Sequence, residues 1–356
     1  MSSLPTITVD LDALENNYRF FQKKRPSRKV AAVIKADAYG LGMEAVSRTL
    51  WRVGCDTYFV AFFEEGRRLR SYLPGATIYV LEGLPHDEFK TFLDYGLTPV
   101  LGDFKSLQTW TEKAADRLCA LHIDTGMART GFDFQEAVQI KQAFPTLGVD
   151  HLMTHYASGD DPISPQNRDQ KEKFSYLKTL FPEAQTSLAN SHGLFLGEDF
   201  CGDMIRVGLG LSGLLEEGLH QGSLKSAITV TAKIIQLRAL RKGQSVGYNA
   251  TWIADRPTRI ATVAMGYADG VSRALSNKGH FYFNGQVLPI CGNVSMDFTT
   301  IDVTDCSCNT LEVGASVTFF NNIETLSELA LAGDTIPYEI LSRLGRRCLR
   351  VYTKDF

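Results

Sequence analysis

The feature that most constrains the fold is an alternation of apolar, β-rich runs with amphipathic segments through the first two-thirds of the chain. Each amphipathic segment has an apolar stripe on one face and charges on the other, which predicts a helix. The predicted strands are Val30–Lys35, Thr57–Phe62, Thr77–Glu82, Thr98–Gly102, Cys119–Asp124, Val149–Thr154, Gln185–Asn190 and Met204–Gly208. The predicted helices between them are Glu44–Val53, Phe63–Tyr72, Glu88–Tyr95, Phe104–Arg117, Phe134–Phe144 and Gln170–Phe181.

Eight regularly spaced strands, each followed by a crossover segment, predict a closed (β/α)8 barrel of the TIM type. The strands are almost continuously apolar, as expected where helices cover a parallel sheet. An open, doubly wound parallel sheet is the alternative, but the regular spacing favours closure.

After about Gly222 the pattern changes to short strands joined by Gly, Asn and Asp turns, which predicts a mostly antiparallel β domain. Its predicted elements are the strands Ala227–Leu237, Arg259–Met265, His280–Phe283, Gln286–Ile290, Thr299–Val303 and Ser316–Phe320, and a helix near Ile323–Ala332. We therefore predict a barrel domain over residues 1–222 and a β domain over residues 223–356. The alternating segment Thr6–Leu11 is expected to pair with the β domain.

Composition excludes several classes of partner. A length of 356 residues exceeds the size at which single cores stop growing, so two domains are expected. A net charge of −3 gives no reason to expect nucleic acid or an anionic membrane as a partner. The N-terminus lacks the basic start and apolar stretch of a secretory signal, which predicts a cytoplasmic protein. Seven scattered cysteines fit reduced thiols, and Cys306-Ser-Cys308 has no second ligand pair nearby that would indicate a metal site.

Lys35 lies in the run Val-Ile-Lys-Ala-Asp-Ala-Tyr-Gly-Leu-Gly over residues 33–42. An amine at the inner end of an apolar strand loses hydration, so its pKa falls and it can form a Schiff base with an aldehyde cofactor. A lysine that extends from the strand end into solvent is the other explanation. Tyr39 follows four residues later, and Gly40 and Gly42 open a helix whose first amides could face an anion.

Four further polar residues fall near the ends of predicted strands: Arg129, His155, Ser191 and Arg206. In a (β/α)8 barrel these ends form one rim, where catalytic residues lie. Each residue alone has a structural explanation, such as a barrel histidine with satisfied hydrogen bonds. An arginine inside a strand must nevertheless face a partner, because an unpaired buried charge is expensive. Together with Lys35 they favour a functional site.

The 33–42 run resembles the pyridoxal phosphate lysine motif of bacterial alanine racemases, and the resemblance extends in the family's order over essentially the whole chain. The other matching segments are Asp124-Thr-Gly-Met-Ala-Arg129, Thr154-His155, Asn190-Ser191, Arg206-Val-Gly208-Leu209, Gly247-Tyr248-Asn-Ala-Thr-Trp252, Gly266-Tyr267-Ala-Asp-Gly270, Ser295-Met296-Asp297 and Tyr338-Glu339. One such motif is weak evidence, but this many in register are strong. The family's fold, a barrel followed by a β domain, agrees with the periodicity.

The resemblance implies a homodimer that interconverts L-alanine and D-alanine, with pyridoxal 5′-phosphate (PLP) as the electron sink. Racemisation needs a base on each face of Cα. Lys35 would serve the face of the D isomer, and Tyr248 of the partner subunit would serve the L face. An unperturbed tyrosine has a pKa of about 10, so its phenolate has to be stabilised if it is to act as a base. The resemblance assigns this stabilisation to His155 and Arg206. Arg206 would also face the pyridine nitrogen and keep it unprotonated.

The resemblance also assigns cofactor and substrate contacts. The cofactor-binding residues would be Lys35, Tyr39, Asn190, Ser191, Arg206, Gly208, Leu209 and Tyr338. Substrate carboxylate would meet Arg129 and the amide of Met296, while Tyr267 and Tyr338 narrow the entrance. A narrow entrance is consistent with alanine, either as the source of D-alanine for peptidoglycan or as a nutrient to be degraded.

Some positions depart from the family pattern. Many members carry a carbamylated lysine where this chain has His122, and its negative charge orients the arginine at the position of Arg129. Imidazole cannot supply that charge, so we expect His122, Asp124 or a bound anion such as chloride to take its place. The other departures are Val207 for proline, Ser212 for tyrosine and Asn249 for glycine. They bear on the loop beside the phosphate and on the strictness of alanine specificity.

Other PLP proteins share parts of this pattern. Fold-type III decarboxylases have a similar barrel and lysine, but they are usually longer and place a glutamate at the pyridine nitrogen. A non-catalytic carrier of the single-barrel type lacks the β domain and hence Tyr248. Racemases of broader or serine specificity share both bases and remain an alternative.

Overall fold

The computed structural model describes residues 3–307 and 310–356. The first strand, β1 (Thr6–Val9), lies outside the barrel. The barrel strands are β2 (Lys29–Val33), β3 (Thr57–Val60), β4 (Thr77–Val80), β5 (Thr98–Leu101), β6 (Cys119–His122), β7 (Val149–Met153), β8 (Gln185–Ser187) and β9 (Met204–Val207). All eight predicted strands are confirmed, and each ends slightly earlier than predicted.

Helices cover the outside of these strands. They are α1 (Leu11–Lys24), α3 (Met43–Arg52), α4 (Phe63–Tyr72), α5 (Phe89–Asp94), α6 (Phe104–Lys113), α7 (Phe134–Ala143), α8 (Pro165–Leu180) and α9 (Glu217–His220), whereas the short segment α2 (Lys35–Tyr39) has left-handed backbone angles. The six predicted helices are all present. The long helix α1 was not predicted, although Asp10 caps it by accepting from the Asp12 amide at 2.9 Å and the Ala13 amide at 3.0 Å.

The parallel strands are hydrogen-bonded in the order β8-β7-β6-β5-β4-β3-β2-β9. The two ends of this sheet meet, since the Asp203 amide donates to the Thr186 carbonyl at 2.8 Å and the Arg206 amide to the Ala189 carbonyl at 3.0 Å. Side chains including stacked Phe59 and Tyr79 fill the interior. Because the centre is packed, a ligand site has to lie at the rim.

The second sheet contains the chain's C-terminal third. Its elements are β10 (Ile228–Leu240), β11 (Ser245–Val246), β12 (Trp252–Ile253), β13 (Thr258–Val263), β14 (His280–Phe283), β15 (Gln286–Pro289), β16 (Thr299–Asp302), β17 (Ser316–Phe320), α10 (Ile323–Ala332), α11 (Pro337–Ser342) and β18 (Leu349–Tyr352), with β11 and β12 forming a separate hairpin. The main order is β15-β14-β17-β10-β1-β18, and β13 pairs with β10 and β16. Only the β1–β18 pair is parallel among these described strands.

Two expectations for the second sheet can be compared with this arrangement. The predicted pairing of the N-terminal segment is confirmed, because β1 lies between β10 and β18. A single helix was predicted, whereas α11 is a second one, and Pro337 at its first turn is a typical helix-start signal. The six described cysteines are free thiols, and Cys308 lies outside the described residues. Among the helices described, none is long and apolar enough to cross a membrane.

Candidate active site

Lys35 opens a tight turn directly after β2, in which successive residues have left-handed backbone angles. The φ angles are 52° at Ala36, 55° at Asp37, 56° at Ala38 and 55° at Tyr39. Such a conformation costs an L-residue roughly 1–2 kcal/mol, so contacts with the rest of the protein must hold it. The sequence pattern predicted a bend here but not its hand.

Carboxylates on both sides hold the start of this turn. Glu65 in α4 accepts from the Ala36 amide at 2.6 Å. Asp37 accepts from the Met43 amide at 3.0 Å and pairs with Arg68 of α4 at 3.2 Å. The amide at the start of α3 was expected to be available to an external anion, but it binds this carboxylate of the chain itself. That helix terminus therefore serves the turn rather than a ligand.

The end of the turn is held by β18 from the second sheet. Arg350 Nε donates to the Gly40 carbonyl at 2.8 Å, and the Tyr352 hydroxyl donates to the Leu41 carbonyl at 3.2 Å. Gly42 has a φ of 102°, and a side chain there would collide with Tyr352. The glycine positions of the lysine motif are therefore explained by packing against the β domain.

The Lys35 amine lies among positive charges. Burial lowers its pKa most, and the charges of Arg129 and Arg206 lower it further, while Glu65 opposes them. A lowered pKa increases the fraction of neutral amine at working pH, which is the form that acts as a nucleophile or a base. The structure thus favours the reactive explanation of this lysine over a solvated strand end.

Arg206 lies inside β9 and is only 4% exposed. Its Nη1 donates to the Ser187 carbonyl at 2.8 Å and to the Ser187 hydroxyl at 2.6 Å. Its Nη2 donates to the Thr154 carbonyl at 2.7 Å and to His155 Nδ1 at 3.2 Å. The predicted need for a partner is confirmed, although no described carboxylate forms an ion pair with it. Burial lowers the pKa of Arg206 to about 10, so it stays charged at neutral pH.

His155 is held in one tautomer by this contact. Because a guanidinium only donates hydrogen bonds, His155 Nδ1 accepts and the ring proton lies on Nε2. Burial, followed by the charge of Arg206, lowers the pKa of His155 well below its ordinary value. Gln170 Nε2 donates to the backbone carbonyl of His155 at 2.9 Å and fixes this segment. The result is a neutral imidazole with a single N–H donor.

Hydroxyls and amides form a small cradle beside β9. The Ser191 hydroxyl accepts from the amides of Gly208 at 3.1 Å and Gly210 at 3.2 Å. A methyl group on Gly208 would lie 2.9 Å from Tyr39 Cζ and closer still to its hydroxyl. Burial raises the pKa of Tyr39 to about 12, so this hydroxyl remains a donor. Because the Gly208 and Gly210 amides are used on Ser191, the donors left for an anion are the hydroxyl protons of Ser191 and Tyr39.

Two other predicted cofactor residues border this cradle. Leu209 begins a short 3₁₀ turn, Leu209–Ser212. The side chain of Asn190 accepts from the Gly193 amide at 2.8 Å, so it shapes the turn that presents Ser191.

Tyr338 reaches the same place from α11. Its ring centroid is 6.5 Å from that of Tyr39, and its hydroxyl is 3.4 Å from His192 Nδ1. The structure therefore brings together Lys35, Tyr39, Arg129, His155, Ser191, Arg206, Gly208 and Tyr338.

Three predicted site residues lie on the surface of the β domain. Tyr248 is 69% exposed, Met296 54% and Tyr267 44%. Tyr248 and Tyr267 are both hydrogen-bonded to the segment 293–296, which contains Met296. Asn293 Nδ2 donates to the Tyr248 carbonyl at 2.9 Å, and the Tyr267 amide donates to the Ser295 carbonyl at 3.0 Å. Within residues 3–307 and 310–356, no hydrogen bond or ring contact joins Tyr248 to the barrel rim.

Comparison with known proteins decides the family. The model of the alanine racemase N-terminal domain matches residues 9–216, and that of the alanine racemase C-terminal domain matches residues 227–352. The chain belongs to the alanine racemase family. An alanine racemase from Acidiphilium cryptum is 41% identical over 354 residues, which cover 98% of each chain. A catabolic alanine racemase from Agrobacterium fabrum is 37% identical over 97% of this chain and 91% of its own.

Solved structures of alanine racemases have the same fold. The Bartonella henselae enzyme with covalently bound pyridoxal phosphate has a TM-score of 0.93 and 34% sequence identity, and the alignment covers 99% of this chain and 100% of that one. The biosynthetic enzyme from Pseudomonas aeruginosa has a TM-score of 0.88 and 31% identity over 99% and 100% of the two chains. The predicted family and fold class are confirmed.

His122 is buried near the positive charges of Arg206 and Arg129. Burial lowers the pKa of His122 to about 4, with further lowering from Arg206 and Arg129. Its Nδ1 lies 3.3 Å from the Thr130 hydroxyl. Asp124 accepts from the amides at 126 and 127 at 2.9 and 2.8 Å instead of pairing with Arg129. Neither side chain therefore forms an ion pair with Arg129 in the part of the chain described.

Several residues of this alanine racemase site were missed by sequence reasoning. Glu65, Gln170, Ser187 and His192 contact predicted site residues without matching a quoted motif. Glu65 follows the predicted strand at 57–62 by three residues, which is the position of a helix-capping glutamate, so its placement could have been inferred. The others depend on distant contacts that local patterns do not reveal.

Proposed function

We propose that this protein interconverts L-alanine and D-alanine as a homodimer, with PLP bound at the barrel rim and two bases on opposite faces of the substrate. The observation that carries the proposal is the position of Lys35. Its amine has a lowered pKa and lies among Arg129, Arg206 and His155, beside a cradle suited to an anion.

The residues present fit PLP. The Gly208 cradle admits no side chain and collects the hydroxyls of Tyr39 and Ser191, as a phosphate would require. Arg206 uses Nη1 and Nη2 for its hydrogen bonds within the described residues, so its Nε would be available to the ring nitrogen of PLP. Lys35 would hold the aldehyde covalently. When bound, PLP supplies the electron sink that makes the Cα proton of an amino acid acidic.

Lys35 would then exchange the proton on the face of the D isomer. The Lys35 amine would act as this base when it is free. Its lowered pKa supports this role, because a base works best when its pKa lies near the operating pH.

Tyr248 from a second copy would serve the opposite face. Its exposure on the β domain fits a residue that acts across an interface, whereas a catalytic tyrosine of the same chain would be expected at the rim. His155 is well prepared to receive it, since its Nε2–H can donate to the phenolate oxygen. The Arg206 charge behind His155 would stabilise that phenolate.

Arg129 and the amide of Met296 would bind the substrate carboxylate, with Arg129 keeping its charge available. Tyr267 and Tyr338 would narrow the entrance and reject large side chains. We also propose the domain boundary near residue 222, with residues 223–356 supplying Tyr248, Tyr267 and Met296 to the second subunit.

Chiral analysis of products from all common L- and D-amino acids tests reaction and substrate together. We expect alanine to be racemised in both directions and bulky amino acids to react poorly. Release of carbon dioxide from a basic amino acid would instead favour a decarboxylase. Faster turnover of serine than of alanine would favour the broader racemases.

Mixing two inactive variants tests the shared site. Lys35→Ala removes one base and Tyr248→Phe removes the other. If the bases come from different subunits, random reassociation restores one intact site in half of the dimers, or about one quarter of wild-type activity. If Tyr248 acts within its own chain, no activity returns. Self-mixing of each variant is the control for residual turnover.

The physiological role can be assigned by deleting the gene. A requirement for D-alanine during growth indicates supply for peptidoglycan. Loss of growth on L-alanine as the nutrient, without a D-alanine requirement, indicates breakdown.

A further inference from the structure

His192 joins two parts of the site that the proposed mechanism does not connect. It follows Ser191 directly and is only 6% exposed. Its Nε2 lies 3.1 Å from Glu216 Oε2, and its Nδ1 lies 3.4 Å from the Tyr338 hydroxyl. The three side chains form a row from the barrel to α11 of the β domain.

The roles of the two ring nitrogens follow from the groups that they face. A carboxylate only accepts hydrogen bonds, so His192 Nε2 carries a proton and donates a hydrogen bond to Glu216. In the neutral ring Nδ1 has no proton and can only accept from Tyr338. The single hydroxyl proton of Tyr338 is then used on His192, and the hydroxyl presents only lone pairs to an anion.

If the Tyr338 hydroxyl donates to an anion instead, His192 Nδ1 loses its hydrogen-bond donor. The hydroxyl can donate to a phosphate oxygen only when its proton leaves the contact with Nδ1. A proton on Nδ1 restores this contact in the opposite direction, with His192 as donor and the Tyr338 oxygen as acceptor. The imidazolium would be stabilised on its other side by Glu216.

We propose that His192 and Glu216 position the Tyr338 hydroxyl on the cofactor phosphate, with His192 taking up one proton from solvent as the phosphate binds. The inference rests on the proposed function, because it takes the anion to be the PLP phosphate. The proton balance is simple. Nδ1 gains one proton from water, the Tyr338 proton turns from His192 to the phosphate, and no covalent bond between heavy atoms changes.

The surrounding charges are compatible with this exchange. The hydrogen bond from His192 is the largest cause that lowers the pKa of Glu216, with a smaller contribution from His220, so the carboxylate is ionised. Burial raises the pKa of Tyr338, with smaller contributions from Tyr39, Glu216 and Asp160, so its hydroxyl remains protonated. In the described part of the chain, the groups that act on Glu216 and Tyr338 therefore come from α2, α9 and the loop containing residue 160, besides His192 itself.

The first test compares two ligands. Apoenzyme of the full chain is titrated with PLP and with pyridoxal, which lacks the phosphate. We expect His192→Gln to weaken PLP binding about tenfold, the effect of losing roughly 1.4 kcal/mol, and to leave pyridoxal binding unchanged. Equal weakening for both ligands would show a general structural defect and overturn the proposal.

A matched control is available on the β domain. His280 Nε2 lies 2.7 Å from the Tyr282 hydroxyl and 3.3 Å from Glu328, so it forms a similar histidine, tyrosine and glutamate group outside the site. His280→Gln should bind PLP like wild type. If His192→Gln and His280→Gln behave alike, the inference fails while the proposed function stands. If wild-type protein neither binds PLP nor racemises alanine, the proposed function itself fails.

The second test measures protons. Calorimetric titration with PLP at pH 8, in buffers of different ionisation enthalpy, gives the number of protons taken up on binding. Wild-type protein should take up about one proton more than His192→Gln when PLP binds. Proton uptake by Tyr338→Phe should be as low as that of His192→Gln. In the double variant the affinity losses should not add, because both belong to one interaction. Equal proton uptake in wild type and His192→Gln, or full additivity, would refute the proposal.

Discussion

Replacement of Gly208 by alanine tests the anion cradle most directly. The backbone φ at Gly208 is −117°, so the handedness of the backbone permits a side chain. The obstacle is steric, since the new methyl would lie 2.9 Å from Tyr39 Cζ, with the hydroxyl closer still. Carbon atoms normally approach to about 3.5–4.0 Å, so the Tyr39 ring has to move by roughly 1 Å. Overpacking of this kind typically costs about 1–3 kcal/mol.

Most of that cost should be seen in cofactor affinity, because the ring that must move carries a proposed phosphate donor. We expect Gly208→Ala to weaken PLP binding roughly 5- to 150-fold, measured by absorbance titration of the apoenzyme. Gly218→Ala is the matched control, since a methyl there meets no atom within 4 Å. In a Tyr39→Phe background the added loss should shrink. Equal PLP affinities of Gly208→Ala and Gly218→Ala would refute the described cradle.

Three other predictions concern stability and pH. The pKa of His122 is about 4 in the folded protein and about 6.5 in an unfolded chain. Between these pH values the unfolded state binds more protons than the folded state. Acid therefore lowers the free energy of unfolding by up to about 3 kcal/mol. The free energy of unfolding, measured with urea at pH 7.5 and at pH 5, should differ less in His122→Gln than in wild type. An equal difference in the two proteins would contradict this. Glu65→Gln should further lower the Lys35 pKa, so that PLP capture by apoenzyme persists to lower pH; an identical profile would exclude the electrostatic role. Asn249 has a φ of 62°, so Asn249→Ala should cost about 1 kcal/mol of unfolding free energy while Asn249→Gly is tolerated, and equal stabilities would argue against this strain.

Much of the fold could be predicted because hydrophobic periodicity is a local signal. The helix Phe63–Tyr72 and the strands His280–Phe283 and Ser316–Phe320 have the predicted bounds. Among the missed elements, α11 and β18 are short and depend on packing against distant segments, whereas α1 is 14 residues long and has a local capping signal at Asp10. The left-handed turn after Lys35 was also beyond prediction, since its angles are imposed by Glu65 and β18 rather than by its own residues.

The site was predictable where a motif identifies a residue, and less so where a contact defines it. Lys35 lies within the electrostatic range of Arg206, and Tyr338 lies beside Tyr39. The sequence could not show that Arg206 takes carbonyls and Ser187 as partners, because those contacts join strands far apart in the chain. Asn249 illustrates the opposite case. Asparagine tolerates left-handed angles, so its replacement of glycine preserves the backbone that follows Tyr248.

The β domain affects the lysine of its own barrel as well as the site proposed for a second subunit. The turn that carries Lys35 is strained, and Arg350 holds its end through the Gly40 carbonyl. On the other side of Gly40, a methyl group would lie 2.8 Å from the Leu341 carbonyl of α11. An isolated barrel would lose both restraints, and β1 would lose its neighbours β10 and β18. At this end of the turn, no contact with the β domain would then offset the conformational energy of the left-handed residues. Lys35 therefore depends on the C-terminal strand for its position even before Tyr248 is considered.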